Sequence, residues 1–324
     1  MLRAIIDIGS NSIKMRIAVV DRGRIRVIRD ETEVVRLGRG MSESGVLSPE
    51  SMRVSCDAVC RMTQRASLMG AEIFAVGTMA LRTAKNADVF VRMVRDSCGQ
   101  EIHVLSGEEE AKYSWLGAVD GLGIDGDAVM FDSGGGSTEF VMGSESGIMR
   151  VVSVPVGAVN LSERFFCAYD TPIKKSACDE AVSYVKNMLI GNHIEDFRTE
   201  MLTVYTPSAK NHIEDFRAQT GTQTVIAVGG GAVTMASVKH ACETFTPSKL
   251  HGSILTQKDI VRQIRMYASL TLKERENVIG LPASRADVIL GSACIIFTAL
   301  RILNARSCIV SINGLRHGLL IRDK

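Results

Sequence analysis

The sequence predicts an α/β fold in two domains, and three observations carry that reading. First, short apolar runs recur along the chain: Ala4–Ile8, Ile73–Val76, Ile102–Leu105, Ala128–Phe131, Thr224–Val228 and Cys308–Ile312 read as buried strands. Second, longer segments with helical periodicity lie between them, so helices cover mixed sheets. Third, one motif occurs twice. Ile5-Ile6-Asp7-Ile8-Gly9-Ser10-Asn11-Ser12 resembles Met130-Phe131-Asp132-Ser133-Gly134-Gly135-Gly136-Ser137, and the two aspartates stand 125 residues apart.

The helices carry readable signals. Ser48 is a good N-cap with Pro49 at the first helical position. Cys56, Val59, Met62, Ala66 and Met69 then form one apolar stripe, and Gly70 ends the helix. Residues 120–127 are rich in Gly and Asp and a new strand follows them, so the main domain boundary is expected there. This gives one domain over 1–124, joined by the C-terminal 312–324, and a second over 125–311.

Composition narrows the function classes. The chain has 324 residues, 46% hydrophobic and 23% charged, which is ordinary for a globular protein. A net charge of +2 gives no global footprint for a nucleic acid polymer. Residues 1–40 are locally basic, with nine Lys/Arg against five Asp/Glu. The apolar stretch from Val288 to Leu300 is too short to cross a membrane. The N-terminus lacks the apolar core and cleavage site of a signal peptide. The eight cysteines show no paired metal-ligand spacing. Reduced thiols in a cytoplasmic protein are the expectation.

The repeated motif suits phosphate. A strand that ends in Asp and turns through Gly and Ser leaves backbone N–H groups pointing outward, and small side chains let an anion approach them. The hydroxyls of Ser10, Ser12, Ser137 and Thr138 add donors. An Asp at the strand end can hold Mg²⁺ or its bound water beside the anion. Two such loops, one per domain, place phosphate in a cleft between the domains. A third cluster, Gly229-Gly230-Gly231-Ala232, is either another anion contact or a close helix–strand junction. It lacks the dinucleotide-binding spacing.

Glu108, Glu109 and Glu110 follow Ser106 at a helix start. Ser106 and Glu109 have the spacing of a capping box. Acids in a first turn also favour the helix dipole, by about 0.3–1 kcal/mol each. Glu110 lies beyond the cap.

Asp7-Ile8-Gly9-Ser10-Asn11-Ser12, Asp132-Ser133-Gly134-Gly135-Gly136-Ser137-Thr138-Glu139, Ser106-Gly107-Glu108-Glu109-Glu110-Ala111 and Arg285-Ala286-Asp287-Val288-Ile289-Leu290-Gly291 resemble the signature set of the Ppx/GppA phosphatases, in the same order. Thr78–Arg82, Val156–Leu161, His251-Gly252 and Ser311–Gly318 extend the likeness over nearly the whole chain. The resemblance implies an actin-like ATPase fold, a duplicated ribonuclease H-like arrangement with two domains that each hold a five-stranded mixed sheet. The resemblance is to the short family form, in which no C-terminal HD-type domain is expected.

The resemblance also implies roles. The family's catalytic carboxylate precedes the motif Ala and lies 22 residues before the loop Asp, which selects Glu110. The implied phosphate-binding set is Asp7, Gly9, Ser10, Asn11, Ser12, Arg82, Asp132, Gly134, Gly135, Gly136, Ser137 and Thr138. Asp132 and Glu139 are the expected holders of Mg²⁺ or another divalent cation. The implied substrate is inorganic polyphosphate, losing terminal orthophosphate. Guanosine pentaphosphate, cut to the tetraphosphate, is the alternative, and a homodimer is expected.

Other features keep plainer readings. Asn192–Arg198 recurs verbatim as Asn211–Arg217, which reads as a local duplication in a tolerant surface segment. Arg22, Arg24 and Arg26 share one face of a hairpin strand and read as charge on a solvated edge. Lys14 and Arg16 stay ambiguous. A small-molecule kinase, a nucleotide-gated scaffold and an inactive sensor use the same loops and stay open at this point.

Overall fold

The computed structural model describes residues 1–21, 24–124, 126–144, 146–167, 169–198 and 224–321. Arg22 and the second repeat copy, Asn211–Arg217, lie outside the described residues. The chain divides into two compact units, Met1–Gly117 with Asn313–Lys324, and Ala118–Ile312. The first division falls inside the helix Gly107–Val119, and residues 120–127 lead from that helix to the next strand.

The first unit is built on strands β1 (Leu2–Ile8), β2 (Ser12–Asp21), β3 (Arg24–Val34), β4 (Glu72–Gly77) and β5 (Ile102–Val104), in the order β3-β2-β1-β4-β5. β1 pairs antiparallel with β2 and parallel with β4, and β4 pairs parallel with β5. Both faces of β1 are covered, so it reads as a continuous apolar run rather than an alternating one. Ala4, Ile6 and Ile8 join the core containing Met52, Val59 and Met62 of the helix Pro49–Leu68. Ile5 joins a separate cluster with Val76, Leu105, Leu315, Leu319 and Leu320. The expected helix start is present: Ser48 accepts from the Ser51 amide, and Pro49 is the first residue. Gly70 is left-handed at φ 70°, as a helix end requires. Met69, expected on the buried stripe, is exposed, because the helix ends at Leu68 and Met69 is its C-cap.

The second unit repeats the plan. Its strands are β6 (Ala128–Ser133), β7 (Thr138–Ser144), β8 (Gly147–Val154), β9 (Thr224–Val228), β10 (Ile254–Thr256) and β11 (Ser307–Val310). The order β10-β11-β9-β6-β7-β8 contains the first sheet's order, with β6, β9 and β11 parallel and the β6–β7–β8 hairpins antiparallel. This is the duplicated ribonuclease H-like arrangement. Among the described residues the expectation of five strands holds for the first sheet, while the second has six. β10 is the addition: buried Leu255 pairs with Cys308, and Thr256 then caps the helix Gln257–Ser269. The chain reaching that helix thereby covers the open edge of β11. Val129, Phe131 and Phe140 face one large core with the helices Lys175–Gly191 and Ile289–Ile302. Among the described residues no helix is long and apolar enough to cross a membrane.

Candidate functional site

In each unit the expected residues gather at the carboxyl ends of the parallel strands, where open α/β sheets present their ligand loops. In the first unit these are the loop after β1, the helix Met79–Thr83 after β4 and the helix Gly107–Val119 after β5. In the second they are the loops after β6 and β9.

The two Asp-led loops close with the same bond. The Gly9 amide donates to the Ser12 carbonyl at 3.1 Å, and the Gly134 amide to the Ser137 carbonyl at 2.9 Å. Each loop is then held from behind through its carbonyls. In the first loop, Ser10 O accepts from the Gly38 amide at 2.8 Å, and Asn11 O from the amides of Val35 and Arg36 at 3.1 and 2.9 Å. In the second, Gly134 O accepts from Ala158 N at 2.9 Å and Gly135 O from Val159 N at 2.7 Å. Gly136 O accepts from Asn160 Nδ2 at 2.9 Å. A trans peptide points its C=O and the following N–H in opposite directions. Fixing those carbonyls therefore turns the amides of Asn11 and Ser12, and of Gly135, Gly136 and Ser137, to the other side. Successive amides turned to one side have the form of an anion-binding nest in each loop.

Glycine is demanded behind the second loop by space, not torsion. A Cβ on Gly157 would lie 2.4 Å from Gly135 C and Gly136 N. At Gly38, which braces the first loop, a Cβ would lie 3.0 Å from Ser10 Cβ. The third glycine cluster is also a close junction. A Cβ on Gly229 would lie 2.6 Å from Ser133 O and 3.0 Å from Asp132 Oδ1, and one on Gly231 would meet Ser292 at 2.5 Å. A Cβ on Gly230 would lie 2.2 Å from the Arg285 guanidinium, so that cation lies flat against this glycine.

The hairpins set charges opposite one another. Asp7 is in register with Lys14, and the Lys14 ammonium stands 4.0 Å from the carboxylate. Asp132 is in register with Glu139, so two carboxylates share one face of the second hairpin. Glu139 is buried and accepts from the Ser153 hydroxyl at 2.9 Å. Opposed carboxylates repel across a strand pair, and their hard oxygens suit a hard divalent cation. This donor set fits Mg²⁺.

The acid run separates as its spacing predicts. Ser106 Oγ accepts from the Glu109 amide at 3.1 Å, and Glu109 Oε2 accepts from the Ser106 amide at 2.9 Å. Glu110 instead meets a second predicted residue: Arg82 Nη1 donates to Glu110 Oε2 at 2.9 Å and to Leu105 O at 2.9 Å. The guanidinium thus ties the carboxylate to the end of β5.

A profile of the Ppx/GppA phosphatase family matches residues 16–324. The chain belongs to the Ppx/GppA phosphatase family. It is 29% identical over 98% of its length to Exopolyphosphatase 2 of Mycobacterium tuberculosis, covering 95% of that protein. It is 28% identical over 98% of its length to the guanosine-5'-triphosphate,3'-diphosphate pyrophosphatase of Photobacterium profundum, covering 58% of that protein. The chain spans about half the length of the longer curated relatives it matches (46% and 58%). Among solved structures, the Aquifex aeolicus Ppx/GppA family member superposes with a TM-score of 0.76 at 27% identity, over 100% of this chain and 97% of that one.

Within this Ppx/GppA chain, most of the predicted residues of each unit fall on that unit's loop edge. Thr138 is placed differently from expectation. It is fully buried and its hydroxyl donates to Val156 O at 2.6 Å, which uses its one proton on bracing the chain behind the loop. Sequence reasoning left Lys14 ambiguous and passed over Asn160 and the placement of Arg285. Hairpin register would have found Lys14, because it faces Asp7 whenever Gly9 bonds Ser12. Asn160 closes the Gly157 amide with its Oδ1 at 2.8 Å and reaches Gly136 with its Nδ2, a bridge with no local sequence signal. Arg16 resolves as structural: it and Arg316 bind Asp30 from two sides.

Proposed function

We propose that this Ppx/GppA member hydrolyses the terminal phosphoanhydride of inorganic polyphosphate and releases orthophosphate. The observation that carries it is a carboxylate, Glu110, that takes no part in the capping box, is oriented by Arg82 and stands on the same loop edge as the first unit's amide nest. Nests alone would serve a kinase equally well. A carboxylate fixed on the loop edge of the first unit supplies the base that hydrolysis needs.

In this reading each loop receives phosphate oxygens on its own amides, Asn11 and Ser12 in one and Gly135, Gly136 and Ser137 in the other. Lys14 and the Arg285 guanidinium add positive charge. Asp132 and Glu139 would hold Mg²⁺, which when bound neutralises charge on the phosphates. Glu110 takes a proton from water as the water oxygen bonds to the terminal phosphorus. The bridging P–O bond breaks, and the shortened chain leaves with the bonding electron pair. Preorganised donors supply much of the rate in such reactions.

The relative matched over 95% of its length is named an exopolyphosphatase, which supports polyphosphate. The second reading, guanosine pentaphosphate cut to the tetraphosphate, has its support in the pyrophosphatase relatives. Phosphate release from short polyphosphate, long polyphosphate, guanosine pentaphosphate and ATP, with Mg²⁺, tests both. Polyphosphate is expected to turn over fastest. A fastest rate on guanosine pentaphosphate selects the second reading, and a fastest rate on ATP rejects both. Glu110→Gln is expected to lose turnover while keeping substrate affinity. We also expect a homodimer, which light scattering of the full chain checks.

A further inference from the structure

We propose that the crossing of two helices at Gly117 and Gly318 is a positioning device for Glu110; this rests on the reading of Glu110 as the base. The helix Gly107–Val119 carries Glu110 in its first turn, with Tyr113 three residues on and Gly117 two turns on. The helix Leu315–Ile321 crosses it at backbone contact. A Cβ on Gly318 would lie 1.8 Å from Tyr113 O, 2.6 Å from Tyr113 C and 3.1 Å from Gly117 N. A Cβ on Gly117 would lie 2.2 Å from Gly314 O and 2.8 Å from Gly318 N. Neither glycine has a positive φ, so an alanine is torsionally allowed at both and only space forbids it.

The second helix is itself fixed to the sheet. Leu315, Leu319 and Leu320 pack with Ile5 of β1, Val76 of β4 and Leu105. β1 runs on into Asp7 and the first phosphate loop. The crossing therefore sets the height of the Glu110 helix against the strand that carries that loop. Arg82 fixes the carboxylate at one end of the helix, and the glycines fix the backbone at the other. A methyl at Gly318 would push the helices apart by about 1 Å, and a misplacement of that size costs on the order of 10²-fold in rate.

The test compares Gly318→Ala in the wild type and in Glu110→Gln, with kcat and KM on polyphosphate and a thermal melt for each. Gly99→Ala is the control. Gly99 is left-handed at φ 71° with open space around it, so alanine there lowers stability without touching the crossing. Gly318→Ala is expected to lower kcat about 10²-fold with KM changed less than about threefold. Gly99→Ala is expected to keep wild-type kcat. In the Glu110→Gln background Gly318→Ala should cost no further rate, because the group it displaces is gone. An equal loss in both backgrounds overturns the proposal, as does an unchanged kcat in folded Gly318→Ala. Where Gly318→Ala does not fold, Gly117→Ala carries the same comparison, since its methyl meets the Gly314 carbonyl and the Gly318 amide of the same crossing. Wild-type turnover in Glu110→Gln alone would reject the base itself, a result separate from the behaviour of the crossing.

Discussion

The two Asp-led loops share a skeleton and differ in charge. Both close Gly to Ser through one backbone bond, and both are held by their carbonyls. Opposite the aspartate, however, the first hairpin places Lys14 and the second places Glu139. The first loop thus brings its own cation, fixed to the chain. The second presents a pair of acids, which in the proposed reading works beside phosphate when a divalent cation joins it. In that reading, one side-chain position in the hairpin divides the labour between a charge fixed to the chain and an exchangeable one.

That contrast can be broken by substitution. Glu139→Gln should give the largest effect, a fall in kcat on the order of 10²–10³-fold, as when a preorganised charge-stabilising group is removed. It should also raise the Mg²⁺ concentration for half-maximal rate. Removing divalent cations with a chelator should abolish wild-type turnover, and added Mg²⁺ should restore it. Activity that survives chelation would end the division of labour. Lys14→Met should act on the other side of the comparison, raising KM about tenfold, the worth of roughly 1.4 kcal/mol, with the Mg²⁺ requirement unchanged. A shift of the Mg²⁺ titration in that variant would mean that the two loops are not separate in this respect.

The bracing of the loops offers a smaller test. Gly157→Ala drives a methyl into the second loop's backbone and should lower stability by about 1–3 kcal/mol with loss of activity. Gly38→Ala meets Ser10 Cβ at 3.0 Å and that residue's backbone at an ordinary 3.5 Å, and should cost less on both counts in melting and rate measurements. The reverse ranking would show that the first loop is the stiffer one.

The smallest expected effect is ionic and confined to the first unit. Burial pushes the Asp30 carboxyl up, but Arg316 and Arg16 overcome this and hold it below its ordinary value of 3.8. Its folded-state value is depressed, so its contribution is fully present above pH 3.8 and is lost as pH falls through the lowered value. Melting temperature measured between about pH 5 and pH 2 should therefore fall less steeply in Asp30→Asn than in the wild type. Parallel curves would remove the clamp from the account.

Much of this was legible in the sequence, and the particular residues show why. Asp7 and Asp132 end apolar runs and precede glycines, so strand, turn and nest are all local information. The division of Glu109 from Glu110 is local too, because a capping box spans only four residues. Ser48 and Pro49 declared their helix for the same reason. Lys14 needed the hairpin register, which is one step beyond local. Thr138 misled because a hydroxyl in a glycine loop looks available until its partner, Val156, is placed. Arg285 against Gly230, and Gly318 against Tyr113, are contacts across long separations in the chain, where no spacing rule reaches. The sixth strand, β10, is three residues long and carries too little pattern to read.

The capping box at Ser106 and Glu109 has a further consequence. A helix turns by about 100° per residue, so Glu108, Glu109 and Glu110 point in three widely different directions. Chemically identical neighbours are not spares for one another. Deleting one residue between Ser106 and Glu110 would leave the local composition nearly unchanged, yet it would rotate the proposed base into the cap. The chain's acid content at this point says little; its phase along the helix says nearly everything.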